Sequence, residues 1–236
     1  MKAYSCLLIF LLFTTNQSIA EEYHFVSIEN LIEQEVGRLI IPEIYKKIDI
    51  KVKITPLPGM RAQFMATSGK RDGEIMRIWT YGQENQTTIR VPTPYYYLET
   101  MGFIHKDSGI VINSKEDLAK YKLVKVRGVK HTNNISNGMP NVYNLNNTEA
   151  MMKFLAAGRC DIALTNTVDG MLAIKKNGLT NIVPIHKPLA FLNLYHYIHE
   201  DHKDLVPKVD AVIKKMKASG ELDKIIKNAE SQIIAQ

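Results

Sequence analysis

Arg77 lies in the stretch DGEIMRIW, three residues after Glu74 and two before Trp79. An arginine can grip a carboxylate through two parallel N–H···O bonds, so Arg77 is a candidate clamp for an anionic ligand. Trp79 shares its parity along a strand and is a candidate wall of the same site, with a core position as the alternative. The guanidinium could instead neutralise Glu74 or Asp72 inside the fold. Arg61, in PGMRA, opens a helix beside a strand end and is either a second ligand contact or a surface charge. Arg127 and Gly128 close a strand in VRGVKHTNN; a helix starting near His131 or Thr132 would offer free N–H groups to an anion, and a plain surface loop is the alternative. Tyr95, Tyr96 and Tyr97 are consecutive and cannot all face one way. Tyr95 and Tyr96 are taken as site candidates, with packing as the alternative.

The run HYIHEDH brings His196, His199, Glu200 and His202 close in sequence but matches no metal-binding spacing. There is no G-x-S-x-G and no phosphate loop. The residues therefore point to binding, with no catalytic residue, metal or cofactor expected. Glu74 would be the base if the chain were a small carboxylic-acid dehydratase.

These side chains must be positioned by alternating strands and helices. IKVKITPLP alternates with period two and predicts a strand, and PGMRAQFMATSGK a helix stopped at Gly69. YHFVSIEN predicts a first strand. Asn30 and Glu33 then form a capping box for a helix carrying Ile32, Val36, Leu39 and Ile40 inward, with Glu33, Glu35 and Arg38 on the far side. Pro42 predicts a kink or a short second segment. In the second half, SKEDLAKY, NTEAMMKFLAAG and VDGMLAIKKNG read as helices, and KLVKVRG, CDIALTN and TNIVPI as strands. One unit occurs twice: SGKRDGEI and AGRCDIAL both run from a helix stop at glycine, through a tight loop, to aspartate and a strand. Regular alternation predicts an α/β fold with largely parallel sheets.

The 236 residues carry a net charge of +6, with both signs mixed in runs such as IYKKIDIK, so a solvated face is favoured over nucleic-acid binding. Lys2, the short apolar run Cys6–Phe13 and Ser18-Ile19-Ala20 predict a secretory signal over residues 1–20, cleaved before Glu21. The run is less than half the length a membrane span needs. Cys160 is then the sole cysteine of the exported chain, so no internal disulfide can form.

Four stretches together resemble the periplasmic solute-binding proteins of ABC importers, polar amino-acid type: SGKRDGEIMRI, IRVPTPYYYLETMGFI, SKEDLAKYKLVKVRG and MMKFLAAGRCDIALTN. The closing LVPKVDAVIKKMKASGELDKIIK is similar as well. The resemblance implies two α/β lobes joined by two hinge strands, near Met101 and Tyr195, with the ligand in the cleft between. The first lobe would be residues 21–99, to which 195–236 return, and the second 100–194. It also implies a monomer that captures a small polar solute and delivers it to an ABC permease in the inner membrane. A sensor feeding a membrane kinase is a further alternative, although the chain carries no signalling segment. Departures bear on the ligand. Where amino-acid binders place an arginine for the ligand carboxylate this chain has Asn85, and where they place an aspartate for the ammonium it has Asn166. The usual threonine after Gly128 is Val129. A carboxylate-bearing solute remains the expectation, with Arg77 as the replacement clamp and Asn166 a further site candidate.

Overall fold

The computed structural model describes residues 22–235, so the expected signal sequence and its expected cleavage point lie outside the described residues. Strand β1 (Glu22–Ile28) pairs in parallel with β2 (Lys51–Leu57) on one side and β3 (Gly73–Arg77) on the other, with helices α1 (Ile32–Lys46) and α2 (Gly59–Thr67) as the crossovers. A short helix α3 (Tyr81–Glu84) and strand β4 (Thr88–Arg90) follow. The long strand β5 (Tyr96–His105) then leads into a second unit. There β6 (Leu123–Val126) pairs in parallel with β7 (Val142–Leu145) and β8 (Ile162–Asn166), helices α4 (Lys130–Ser136) and α5 (Thr148–Ala156) connect them, and α6 (Thr167–Lys176) follows β8. After β9 (Ile182–Pro184) the chain returns along β10 (Ala190–His199) to helices α7 (Leu205–Ala218) and α8 (Glu221–Ala235).

The two halves meet at β5 and β10. Ala190–Leu194 of β10 pairs with Tyr96–Thr100 of β5, and beyond Leu194 the same strand pairs with β3 and β4. The far end of β5 joins β8 and β9. One apolar core is built around Phe25, Ile40, Ile41, Ile75 and Ile213, the other around Phe103, Leu123, Met151 and Ile162. The partition is incomplete, because Val168 and Leu172 of α6 enter the first core.

The repeated stretch has the same structural job in each half. Asp72 donates its N–H to His24 O and takes the His24 N–H on its carboxylate; Asp161 does both with Lys122. Each aspartate thus pins the start of the neighbouring parallel strand with one carboxylate oxygen, and the other oxygen of Asp72 lies 3.0 Å from His202 Nε2. Gly69 and Gly158 both sit at φ 70° behind their helices, as helix stops should.

Three local expectations change. Asn30 adopts φ 57° and does not cap; Leu31 holds the N-cap position with no side-chain cap bond. Helix α1 runs through Pro42 to Lys46 as one segment. The helix offered near His131 is present as α4, and what was not expected beyond it is β7, whose Tyr143 and Asn144 are exposed on a sheet edge and carry little apolar alternation to reveal a strand.

Candidate ligand-binding site

In parallel α/β sheets the free space lies beyond the carboxyl ends of the strands, where the chain turns away into helices. Ile28 ends β1, Met76 and Arg77 end β3, Arg127 and Gly128 follow β6, and Asn166 ends β8. All of them line a cleft between the two halves. Its larger cavity, about 460 Å³, is bounded by Arg77, Arg127, Gly128, His131 and residues of β5 and β10. A neighbouring cavity of about 250 Å³ is lined by Asn166, Thr165, Thr148 and Asp169, and shares Leu31, Glu33, Leu98, Val129 and His131 with the first.

A bulge aims Arg77. Tyr195 opposes Arg77 and Tyr197 opposes Glu74, so β3 carries one residue more than β10 over this interval. The extra residue is accommodated at Met76, whose φ of 53° is rare for an unbranched apolar side chain in a strand. The interruption leaves backbone groups to satisfy. Met76 N–H donates to the Tyr95 hydroxyl at 3.0 Å, and Met76 O accepts from Gln34 Nε2 at 3.0 Å. Tyr95 is therefore buried as the support of the bulge and does not line the cavity. The bulge also ends the period-two pattern, so the shared parity of Arg77 and Trp79 is lost. Ile78 faces the cavity, and Trp79 is exposed with the Arg90 guanidinium 5.1 Å from its ring centre.

Glu74 is fully buried beneath Arg77. It accepts from the Tyr81 hydroxyl at 2.7 Å and lies 3.4 Å from Arg77 Nη1, while the guanidinium sits 4.3 Å from the Tyr81 ring centre. Burial pushes the Glu74 carboxyl upward, against the pull of Arg77 and of the Tyr81 bond. Arg77 thus has two attachments: it is the ion-pair partner of Glu74, and it lines the cleft. Its Nε has no hydrogen-bond partner.

The remaining candidates are dispersed. His131 lines both cavities with Nδ1 2.8 Å from the Thr100 hydroxyl, and burial holds it down to about 4, so it is neutral at physiological pH. Asn166 accepts from Asp169 N–H and so caps α6. Tyr96 donates to Glu230 and borders a small cavity of about 70 Å³ on the flank of the cleft. Arg61 is exposed on α2 and lines neither cleft cavity. Asn85 is buried between Gln63 and Tyr81 O. His196 is buried against Tyr45 and Glu74 O, and among the described residues no group of three or more His, Cys, Asp or Glu is placed to hold a metal ion.

Sequence reasoning missed Glu33 and Asp169. Glu33 was placed on the outer face of α1, yet it borders both cleft cavities. The available signal was its position just past the carboxyl end of β1, the rule already applied to β3 and β6. Burial pushes Glu33 up to about 6, Asp169 adds to this, and its own backbone N–H opposes it. A carboxyl raised on folding stabilises the fold fully below its unfolded value, and that contribution is lost as pH rises through about 6. Glu33→Gln is therefore expected to be more stable than the parent at pH 8 by about 1–2 kcal/mol, with the gap closing by pH 4.5. Thermal melts across that range check it; a gap that is the same at every pH would remove Glu33 as the cause.

Two α/β units, joined by two crossing strands with a cleft at their strand ends, define the fold of the periplasmic binding proteins. The chain belongs to the bacterial extracellular solute-binding proteins, family 3, whose model matches residues 35–229. A Shewanella oneidensis protein, described only as uncharacterized, is 26% identical over 202 residues, covering 83% of this chain and 76% of its own. Among solved structures, an ancestral cationic amino acid solute-binding protein superposes with a TM-score of 0.68 at 16% identity, covering 88% of this chain and 95% of its own. An amino acid ABC transporter substrate-binding protein of Streptococcus pneumoniae, bound to L-arginine, gives 0.59 at 17%, covering 90% and 96%. A histidine kinase sensor domain with similarity to periplasmic binding proteins gives 0.59 at 18%, covering 89% and 96%. At these identities the structures establish the fold.

Proposed function

We propose that this protein is a periplasmic receptor that captures a small carboxylate-bearing solute by closing its two lobes, and presents it to an ABC permease. One observation carries the reading. Arg77, at the end of β3, and Arg127, just after β6, come from different halves of the chain and line the same cavity. An anion held by both is bound better when the halves approach, so ligand shifts the population toward the closed form. The lobes in this reading are residues 21–99 with 195–236, and 100–194. The hinges are β5 and β10, the two strands that pair on both sides of the cleft. The family supports a binding role over catalysis. Glu74, the candidate base, fits the reading as a buried counter-ion, with Tyr81 and Arg77 on it and no place on the cavity wall.

Closure is tested by small-angle scattering of the exported chain with and without a carboxylate that saturates it in calorimetry. The radius of gyration is expected to fall on binding. An unchanged profile at saturation would rule out closure. The sensor-domain likeness supports a second use of the same closure, signalling to a membrane kinase. Co-purification with a permease, and not with a kinase, separates the two.

A further inference from the structure

The wall of the larger cavity says more about the ligand than its charge. Eight of its fourteen lining residues have apolar side chains, among them Leu31, Leu98, Leu192 and Leu194. Several of its polar groups are already committed within the protein. Gln34 accepts from Ile28 N–H and donates to Met76 O, Met76 N–H is taken by Tyr95, and His131 Nδ1 is taken by the Thr100 hydroxyl. A solute polar along its whole length needs a partner for each group it buries, and an unmatched group costs about 1–3 kcal/mol.

Leu31 is the second observation. It occupies the N-cap of α1, where Ser, Thr, Asp or Asn would accept a helix N–H and where a missing cap costs about 1 kcal/mol. The preceding Asn30 turns through φ 57°. The outcome is a leucine 39% exposed that borders both cleft cavities, with Leu192, 36% exposed, on the wall of the larger one. Exposed apolar side chains gathered at a cavity mark a surface that a ligand covers. Sequences break local rules of this kind where function requires it.

We infer that the ligand is an amphipathic carboxylate: one anionic end between Arg77 and Arg127, and an apolar body against Leu31, Leu98, Leu192 and Leu194. This rests on the anion reading above and replaces the polar solute with one whose bulk is hydrocarbon.

The test is calorimetric titration of the exported chain with butanoate, hexanoate, octanoate and 3-phenylpropanoate, beside glutamate, glutamine and arginine. Each methylene buried adds about 0.8 kcal/mol, so affinity should rise about 4-fold per carbon until the cavity is filled. Leu31→Ser restores a helix cap, so it should fold at least as well as the parent, yet it should weaken octanoate binding about 10-fold. Carboxylates that bind with no dependence on chain length would overturn the apolar body and leave the anion reading standing. So would glutamate or glutamine binding more tightly than every monocarboxylate. Octanoate affinity unchanged in Leu31→Ser would overturn the assignment of Leu31 and with it the inference. Failure of every carboxylate and amino acid to bind would sink the anion reading and this inference together.

Discussion

Arg77→Met is expected to lower the unfolding free energy by about 3 kcal/mol, far more than a solvated arginine would cost, because it strands the buried Glu74. Glu74 is fully buried, and its remaining partner is the Tyr81 hydroxyl at 2.7 Å. Adding Glu74→Gln removes the stranded charge while keeping an acceptor for Tyr81, so Arg77→Met/Glu74→Gln should recover most of the loss. The pH dependence has a definite sign. The Glu74 carboxyl is already raised by burial, and losing Arg77 raises it further. A raised carboxyl favours folding at low pH and loses that contribution as pH rises through its folded value, so the deficit of the single variant should be larger at pH 8 than at pH 5. Urea denaturation of both variants at the two pH values measures this. A double variant no more stable than the single one would show that Glu74 is not the cause. The double variant also isolates the ligand role. In a protein that folds, loss of the guanidinium from the cleft should weaken carboxylate binding by roughly 10- to 1,000-fold, at 1.4 kcal/mol per tenfold. Unchanged affinity would leave Arg127 as the anion partner and Arg77 as a core residue.

Gly73→Ala should prevent folding. Gly73 lies at φ 152° where β3 meets β10, and a Cβ there would stand 2.1 Å from Tyr197 O and 2.9 Å from Ile198 Cα. The obstacle is backbone, so no rotamer change relieves it. Separating the strands would break the pairing of Gly73 with Ile198 and release the return strand from the first half. The cost should exceed about 4 kcal/mol, the range reserved for gross disruption. Gly158→Ala is the control. Its φ of 70° is strained for alanine, but no atom lies within 4 Å of the added Cβ, so about 1–2 kcal/mol is expected. Circular dichroism and melting of the two purified variants should separate them clearly. A cooperative melt for Gly73→Ala near that of the parent would mean that β10 can move aside.

Much of the architecture was legible from local pattern. The period-two run of IKVKITPLP became β2, and the glycine stops at Gly69 and Gly158 ended their helices. The paired G-x-x-D stretches led into β3 and β8, strands that end on opposite sides of one cleft. The family was legible too, and its model covers most of the chain. Such features depend on neighbours within about four residues, where backbone sterics and side-chain period dominate, so the chain states them directly.

The site depended on which distant groups the fold brings together and which it removes from water. Period two placed Arg77 and Trp79 on one face, but the bulge at Met76 broke the period, and its stability comes from Tyr95 and Gln34, distant in sequence. The choice between ligand clamp and ion pair for Arg77 could not be made from spacing; the structure gives it the ion pair with Glu74 and a place on the cavity wall. Glu33 looked like a capping residue on a solvated face; the approach of α6 and Asp169 turned it into a half-buried carboxyl on the cleft. Leu31 looked like an ordinary apolar residue ahead of a helix, and the second half of the chain made it a wall. Desolvation depends on every element that packs around a group, and a strand bulge on the side chains that satisfy its free N–H and C=O. Sequence fixes the identity of those partners, and tertiary packing alone decides which of them meet.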